Sequence, residues 1–157
     1  MDISYSARAA HELEEDWKFI ADPVELAKNS DVLFVSLAAS KQTHHIVNKQ
    51  VMDALGPEGM VINISRASNI DEIALLDALE AKTLGSAALD VFEGEPDINP
   101  RFLELDNVLL QPHHGSGTVE TREAMGDLVF ENLKAHFDVK ELPTPITKLS
   151  SIGRTTK

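Results

Sequence analysis

The chain has 157 residues, 43% of them hydrophobic and 25% charged, which suits one domain with a full core and is too short for two of ordinary size. A formal charge of -12, with only 14 basic residues scattered along the sequence, disfavours any partner held by phosphate neutralisation, nucleic acid above all. No cysteine is present, which excludes disulfides and thiolate metal sites, and no run of about 18 apolar residues exists to span a membrane.

The opening residues, MDISYSARAAHELEED, match neither a signal peptide nor an acid-poor transit peptide, so a cytoplasmic protein is expected. Ile3 to Tyr5 reads as a short strand with no turn or cap before it. Residues 9 to 16 suggest a helical turn, and Trp17 to Ile20 a short strand. Asp22-Pro23 signals a helix start, because Asp accepts from free amides and Pro fits the first turn; that helix should run to Asn29.

The apolar, β-branched run after Asp31 predicts a buried strand from Val32 to Leu37. After the loop AASKQTHH, a helix from Asn48 to Leu55 is stopped by Gly56-Pro57. Met60 to Ile64 reads as a second buried strand ending in the polar cluster Ser65-Arg66-Ala67-Ser68-Asn69. Asn69 or Asp71 caps a helix reaching Ala81, with Ile73, Leu76 and Leu79 expected on one face. Leu84 to Asp90 is a third strand, Val108 to Leu110 a fourth, and Thr118 to Phe137 a long closing helix. The tail, 141–157, lacks periodicity and is expected to be mobile.

Strands alternating with helices at this spacing predict a parallel sheet with right-handed crossovers, in which ligands collect at the carboxyl ends of the strands. Arg66, Asp90, Glu95 and His113 each follow such an end. Arg66 could hold a carboxylate through two parallel hydrogen bonds or make a loop salt bridge. Asp90 could accept from a ligand or cap a loop. Glu95, set before Pro96, is a solvated charge unless it neighbours an imidazole, where it would favour the protonated ring and keep a proton available. His113 is a general acid or a hydrogen-bonded loop residue. In an extended segment His113 and His114 would point opposite ways, so only one could face a site. His44-His45 is poorly spaced for chelation, and no metal site is expected.

The segments DVLFVSL, MVINISRASNIDE, SAALDVFEGEP and NVLLQPHHGSGTVETR, in this order and spacing, resemble the D-isomer-specific 2-hydroxyacid dehydrogenases, closest to the NADPH-preferring glyoxylate/hydroxypyruvate and hydroxyphenylpyruvate reductases. The resemblance covers about residues 2 to 140. It implies an α/β fold, a Rossmann-like doubly wound parallel sheet, with 1–140 as the later part of the dinucleotide-binding domain and its closing helix. It implies that Arg66 binds the carboxylate of a small 2-oxo acid and polarises its carbonyl, that His113 protonates the developing alkoxide, and that Glu95 tunes His113. Asp90 would accept from the nicotinamide carboxamide, and Ile64, Ser65 and Arg66 would line the nicotinamide ribose. In Ser6-Ala7-Arg8, Ala7 stands where an acid would take the ribose 2′-hydroxyl in an NAD-preferring fold and Arg8 follows it, which favours NADP(H) over NAD(H), with Ser6 and Arg8 as the implied contacts. A homodimer is implied for the full-length form.

Two departures from the family pattern stand out. Ala67 replaces the glycine usual after the arginine, and would be strained by roughly 1 kcal/mol if that position needed positive φ. No G-x-G-x-x-G occurs in the chain; the resemblance begins at the second strand, without the first strand, the phosphate-binding turn, or most of the substrate domain. The strand at Ile3 to Tyr5 should then be unable to pair with that at Val32 to Leu37, and the isolated chain should bind NADPH poorly. The alternatives to a reductase are a non-catalytic dinucleotide-sensing or protein-binding module and an inactive truncated fragment.

Overall fold

The structure, a computed structural model, describes residues 1–12 and 16–146. It divides into two compact units, Met1–Gly115 and Ser116–Lys157. In the first, strands β1 (Ser4–Tyr5) and β2 (Lys18–Phe19) pair in parallel as a separate two-stranded sheet. The main sheet has four parallel strands in the order β3 (Val32–Val35), β4 (Met60–Asn63), β5 (Ser86–Leu89) and β6 (Val108–Leu110). Chain order and spatial order coincide, and β1 does not pair with β3, as expected from the sequence.

The helices form where their caps dictate. Asp22 accepts from the Val24 amide ahead of α1 (Pro23–Lys28), and Asn48 accepts from Gln50 and Val51 ahead of α2 (Lys49–Leu55), which Gly56 ends at φ 83°. Asp71, not Asn69, caps α3 (Glu72–Glu80) through the Ala74 amide. Such caps satisfy amides that otherwise have no partner within the helix. In the second unit, Thr118 caps α4 (Val119–Phe137), none of whose side chains is buried.

The core lies against one face of the main sheet. Leu33, Val35, Val61, Ala87 and Leu89 meet Val51, Met52 and Leu55 of α2 and Leu75, Leu76 and Leu79 of α3. The expected α3 face is therefore corrected: Ile73 is 55% exposed, and Leu75 takes the buried place. The prediction of strands buried on both faces is also corrected. Val32, Phe34 and Leu109 are exposed on the opposite face, with Ile64 just beyond β4. Alternation along each strand sends every second residue to that side, and a purely apolar run cannot show which faces are covered.

Close packing at the start of β5 depends on Gly85, where a Cβ would stand 2.6 Å from the Pro57 carbonyl oxygen. A short 3₁₀ helix, Pro100–Glu104, escapes the sequence reading. It buries Phe102 and is tied to α3 by Arg101, whose guanidinium meets both Glu80 carboxylate oxygens at 2.7 Å and Asp77 at 2.6 Å. No helical turn forms over residues 9–12; residues 13–15 of that expected element, and most of the tail expected to be mobile, lie outside the described residues. Among the described residues no helix is long and apolar enough to cross a membrane.

Candidate active site

Three loops leaving the carboxyl ends of β4, β5 and β6 supply polar groups to one edge of the sheet. The loop after β4 is built on a buried amide and hydroxyl network. Asn63 Oδ1 accepts from the Ser65 amide at 3.0 Å and the Ser65 hydroxyl at 2.9 Å, and its Nδ2 donates to the Arg66 carbonyl. Asn69 Nδ2 donates to Ser65 Oγ and to the Leu37 carbonyl, tying in the loop after β3. Asn69 Oδ1 is buried without a hydrogen-bond partner among the described residues, while the other side-chain polar atoms of the network are paired and hold the loop.

Ser65 thus holds the loop from inside, whereas Ile64 is 56% exposed. Arg66 projects from this frame, exposed, with one guanidinium nitrogen donating to the Ser65 carbonyl at 2.6 Å. Among the described residues it forms no ion pair. Ala67 begins a 3₁₀ turn, Ala67–Asn69, and is not at positive φ, so the strain anticipated for alanine there does not arise.

The loop after β5 carries Asp90 and Glu95. Asp90 accepts from two backbone amides of the loop after β6, His114 at 2.7 Å and Gly115 at 2.9 Å. A Cβ on Gly115 would stand 3.1 Å from the Asp90 carboxylate, a tight contact. Glu95 Oε1 accepts from the Phe92 amide at 2.8 Å, and its Oε2 lies 2.7 Å from His113 Nδ1. These contacts, the bond to His113 foremost, hold the Glu95 carboxyl below its ordinary value of 4.5.

His113 has φ 51°, in the left-handed region. A non-glycine residue persists there when its surroundings over-determine it, and here Asp90 fixes the two amides that follow. The extended geometry assumed for His113-His114 is therefore corrected. His113 still faces the cleft, and His114 is not among its lining residues. That cleft, about 360 Å³, is lined by Ala39, Arg66, Ala67, Ser68, Val91, Phe92, Glu95 and His113.

The family model described as D-isomer specific 2-hydroxyacid dehydrogenase, NAD binding domain, matches residues 1–115. The chain belongs to this family. It is 54% identical over 130 residues to glyoxylate/hydroxypyruvate reductase A of Arabidopsis thaliana, covering 83% of this chain and 42% of that protein. Among solved structures, a 2-hydroxyacid dehydrogenase from Ketogulonicigenium vulgare superimposes with TM-score 0.90 at 62% identity, over 94% of this chain and 46% of that one. An NADPH-dependent glyoxylate/hydroxypyruvate reductase from Sinorhizobium meliloti, solved with NADP and malonate, gives TM-score 0.88 at 41% identity, over 93% and 46%. The chain spans just under half the length of the curated relatives it matches.

Among the sequence candidates, the fold brings Arg66, Glu95 and His113 to one cleft and places Asp90 beneath the histidine loop. Ser6 and Arg8 follow β1 in the separate small sheet and do not line that cleft; Ser6 Oγ donates to the Ala21 carbonyl. Among the described residues no group of three or more His, Cys, Asp or Glu side chains could hold a metal ion. The Asn63–Ser65–Asn69 network was missed. Its signal is the run of polar residues directly behind an apolar strand.

Proposed function

We propose that this chain supplies the proton donor and carboxylate anchor of a reductase that converts a small 2-oxo acid such as glyoxylate or hydroxypyruvate to its 2-hydroxy acid. The observation that carries this reading is the His113–Glu95 pair at 2.7 Å, facing a cleft that also contains Arg66, which makes no ion pair among the described residues. With Nδ1 hydrogen-bonded to Glu95, the ring's transferable proton sits on Nε2. Arg66 orients the substrate carboxylate and stabilises charge developing on the carbonyl oxygen. As C2 receives hydride, the C=O π pair moves onto oxygen, and His113 delivers its proton there and becomes neutral.

The nicotinamide end of a dinucleotide suits the strand ends, where exposed Ile64 offers an apolar surface and Asp90 keeps acceptor capacity beyond its two backbone donors. Bound NADPH would supply the hydride. Ser6 and Arg8 would take its 2′-phosphate, since an arginine after the second strand of such folds accommodates that group. A homodimer and a cytoplasmic location belong to the same proposal and rest on family resemblance and composition.

The reading is tested by a chimera in which this chain replaces the matched segment of the Arabidopsis reductase. NADPH oxidation with glyoxylate or hydroxypyruvate is expected, and loss of about 10²- to 10⁴-fold on His113→Ala. A folded, cofactor-binding chimera without turnover would favour a non-catalytic module instead.

A further inference from the structure

The loop that aims Glu95 at His113 is held from an unexpected direction. Glu72, the first residue of α3, is 8% exposed, and its Oε2 accepts the Glu93 amide at 2.8 Å. The adjoining amide, Phe92, is the one that grips Glu95 Oε1. Two successive amides of one turn therefore point to two carboxylates, one rooted in the scaffold and one in the site. The turn is also pinned by the Phe92 ring, which meets buried Phe102 edge-on at 5.8 Å. His45 Nε2 lies 3.7 Å from the Glu93 carboxylate, and its Nδ1 is 3.9 Å from Asp71.

A buried carboxylate is an expensive way to satisfy one amide. No cation pairs with Glu72 among the described residues, and desolvation raises its pKa above the ordinary value. Only the hydrogen bond from Glu93 and its place at the α3 N-terminus compensate the charge. The carboxylates that accept the Phe92, His114 and Gly115 amides belong to residues that are more exposed than Glu72, at 8%. What this carboxylate adds is direction: it holds the Phe92–Glu93 peptide plane against a helix end, leaving only the backbone torsions of Phe92, whose ring packs on Phe102, between that plane and the one that carries the Phe92 N–H.

We infer that Glu72 is a positioning residue for the Glu95–His113 pair, acting through the Glu93 and Phe92 amides. The inference rests on the reductase reading for its functional meaning, but its geometry can be measured without catalysis. Losing Glu72's acceptor frees the Glu93 amide, loosens the Phe92 grip on Glu95, and lets Glu95 swing from His113.

The test is a ¹³C-NMR titration of the Glu95 carboxyl in the full chain. In Glu72→Ala the Glu95 pKa is expected to rise toward its ordinary value, whereas Glu72→Gln, which keeps an acceptor, holds it depressed. An unchanged Glu95 titration in folded Glu72→Ala, or the same rise in Glu72→Gln as in Glu72→Ala, overturns the inference. If Glu72→Ala does not fold, the unmodified chain decides: the Glu93 amide proton resonance should follow the Glu72 titration, and independence of the two contradicts the proposal. A chimera that fails to reduce 2-oxo acids while Glu95 responds as predicted would sink the reductase reading and leave the positioning role standing.

Discussion

His113 Nδ1 lies 2.7 Å from Glu95 Oε2, joining the loops that leave the adjacent strands β5 and β6. The bond depresses the Glu95 carboxyl, so the folded protein holds this proton more weakly than the unfolded chain does. The stability it contributes is present above the ordinary value of 4.5 and is lost as pH falls through the depressed folded value. His113→Asn is expected to move the Glu95 titration up toward 4.5, as read by carboxyl ¹³C shifts. A titration unmoved by the substitution would mean that the pair does not form in solution.

Asp90 holds the other side of the same histidine. Its carboxylate takes the amides of His114 and Gly115, the two residues that follow His113 at φ 51°. Asp90→Ala should speed hydrogen exchange at both amides by about tenfold or more, corresponding to the roughly 1.5–3 kcal/mol of a hydrogen bond to a charged acceptor. Exchange rates equal to the parent's would show that the loop is fixed by something else.

Glu72 titrates in the opposite sense from Glu95. Burial raises its folded pKa above 4.5, so its contribution to stability is fully present below 4.5 and is lost as pH rises through the folded value. Glu72→Gln removes the buried charge and keeps an acceptor for Glu93. The variant is expected to melt higher than the parent at neutral pH, with the difference vanishing in acid. A variant that melts lower at neutral pH would mean that the charge itself stabilises the fold.

Phe102 anchors the turn from the core side. It is 1% exposed and packs edge-on against Phe92. Phe102→Ala should cost about 3–5 kcal/mol in urea unfolding. A loss well under 1 kcal/mol would show that this short 3₁₀ helix is peripheral to the core.

Much of this could be read from local chemistry. Asp22, Asn48, Asp71 and Thr118 are caps because their side chains satisfy amides a few residues away, a relation visible in one stretch of sequence. Arg66, Glu95 and His113 were found as polar residues behind apolar strands, and the parallel order of β4, β5 and β6 brings them together. What stayed hidden depends on distant partners. Asp90 acts on residues 24 and 25 positions away, and Glu72 on one 21 away. The open face carrying Phe34 and Leu109 was misread for the same reason, since an apolar strand looks alike whether one face is covered or both.

The central claim, that His113 is the proton donor of a 2-oxo acid reductase, is tested most directly by steady-state NADPH oxidation in the chimera with the Arabidopsis reductase. The account predicts turnover of glyoxylate or hydroxypyruvate that His113→Ala lowers about 10²- to 10⁴-fold in kcat, with the dissociation constant for NADPH little changed. Turnover that is the same with and without His113 would contradict it.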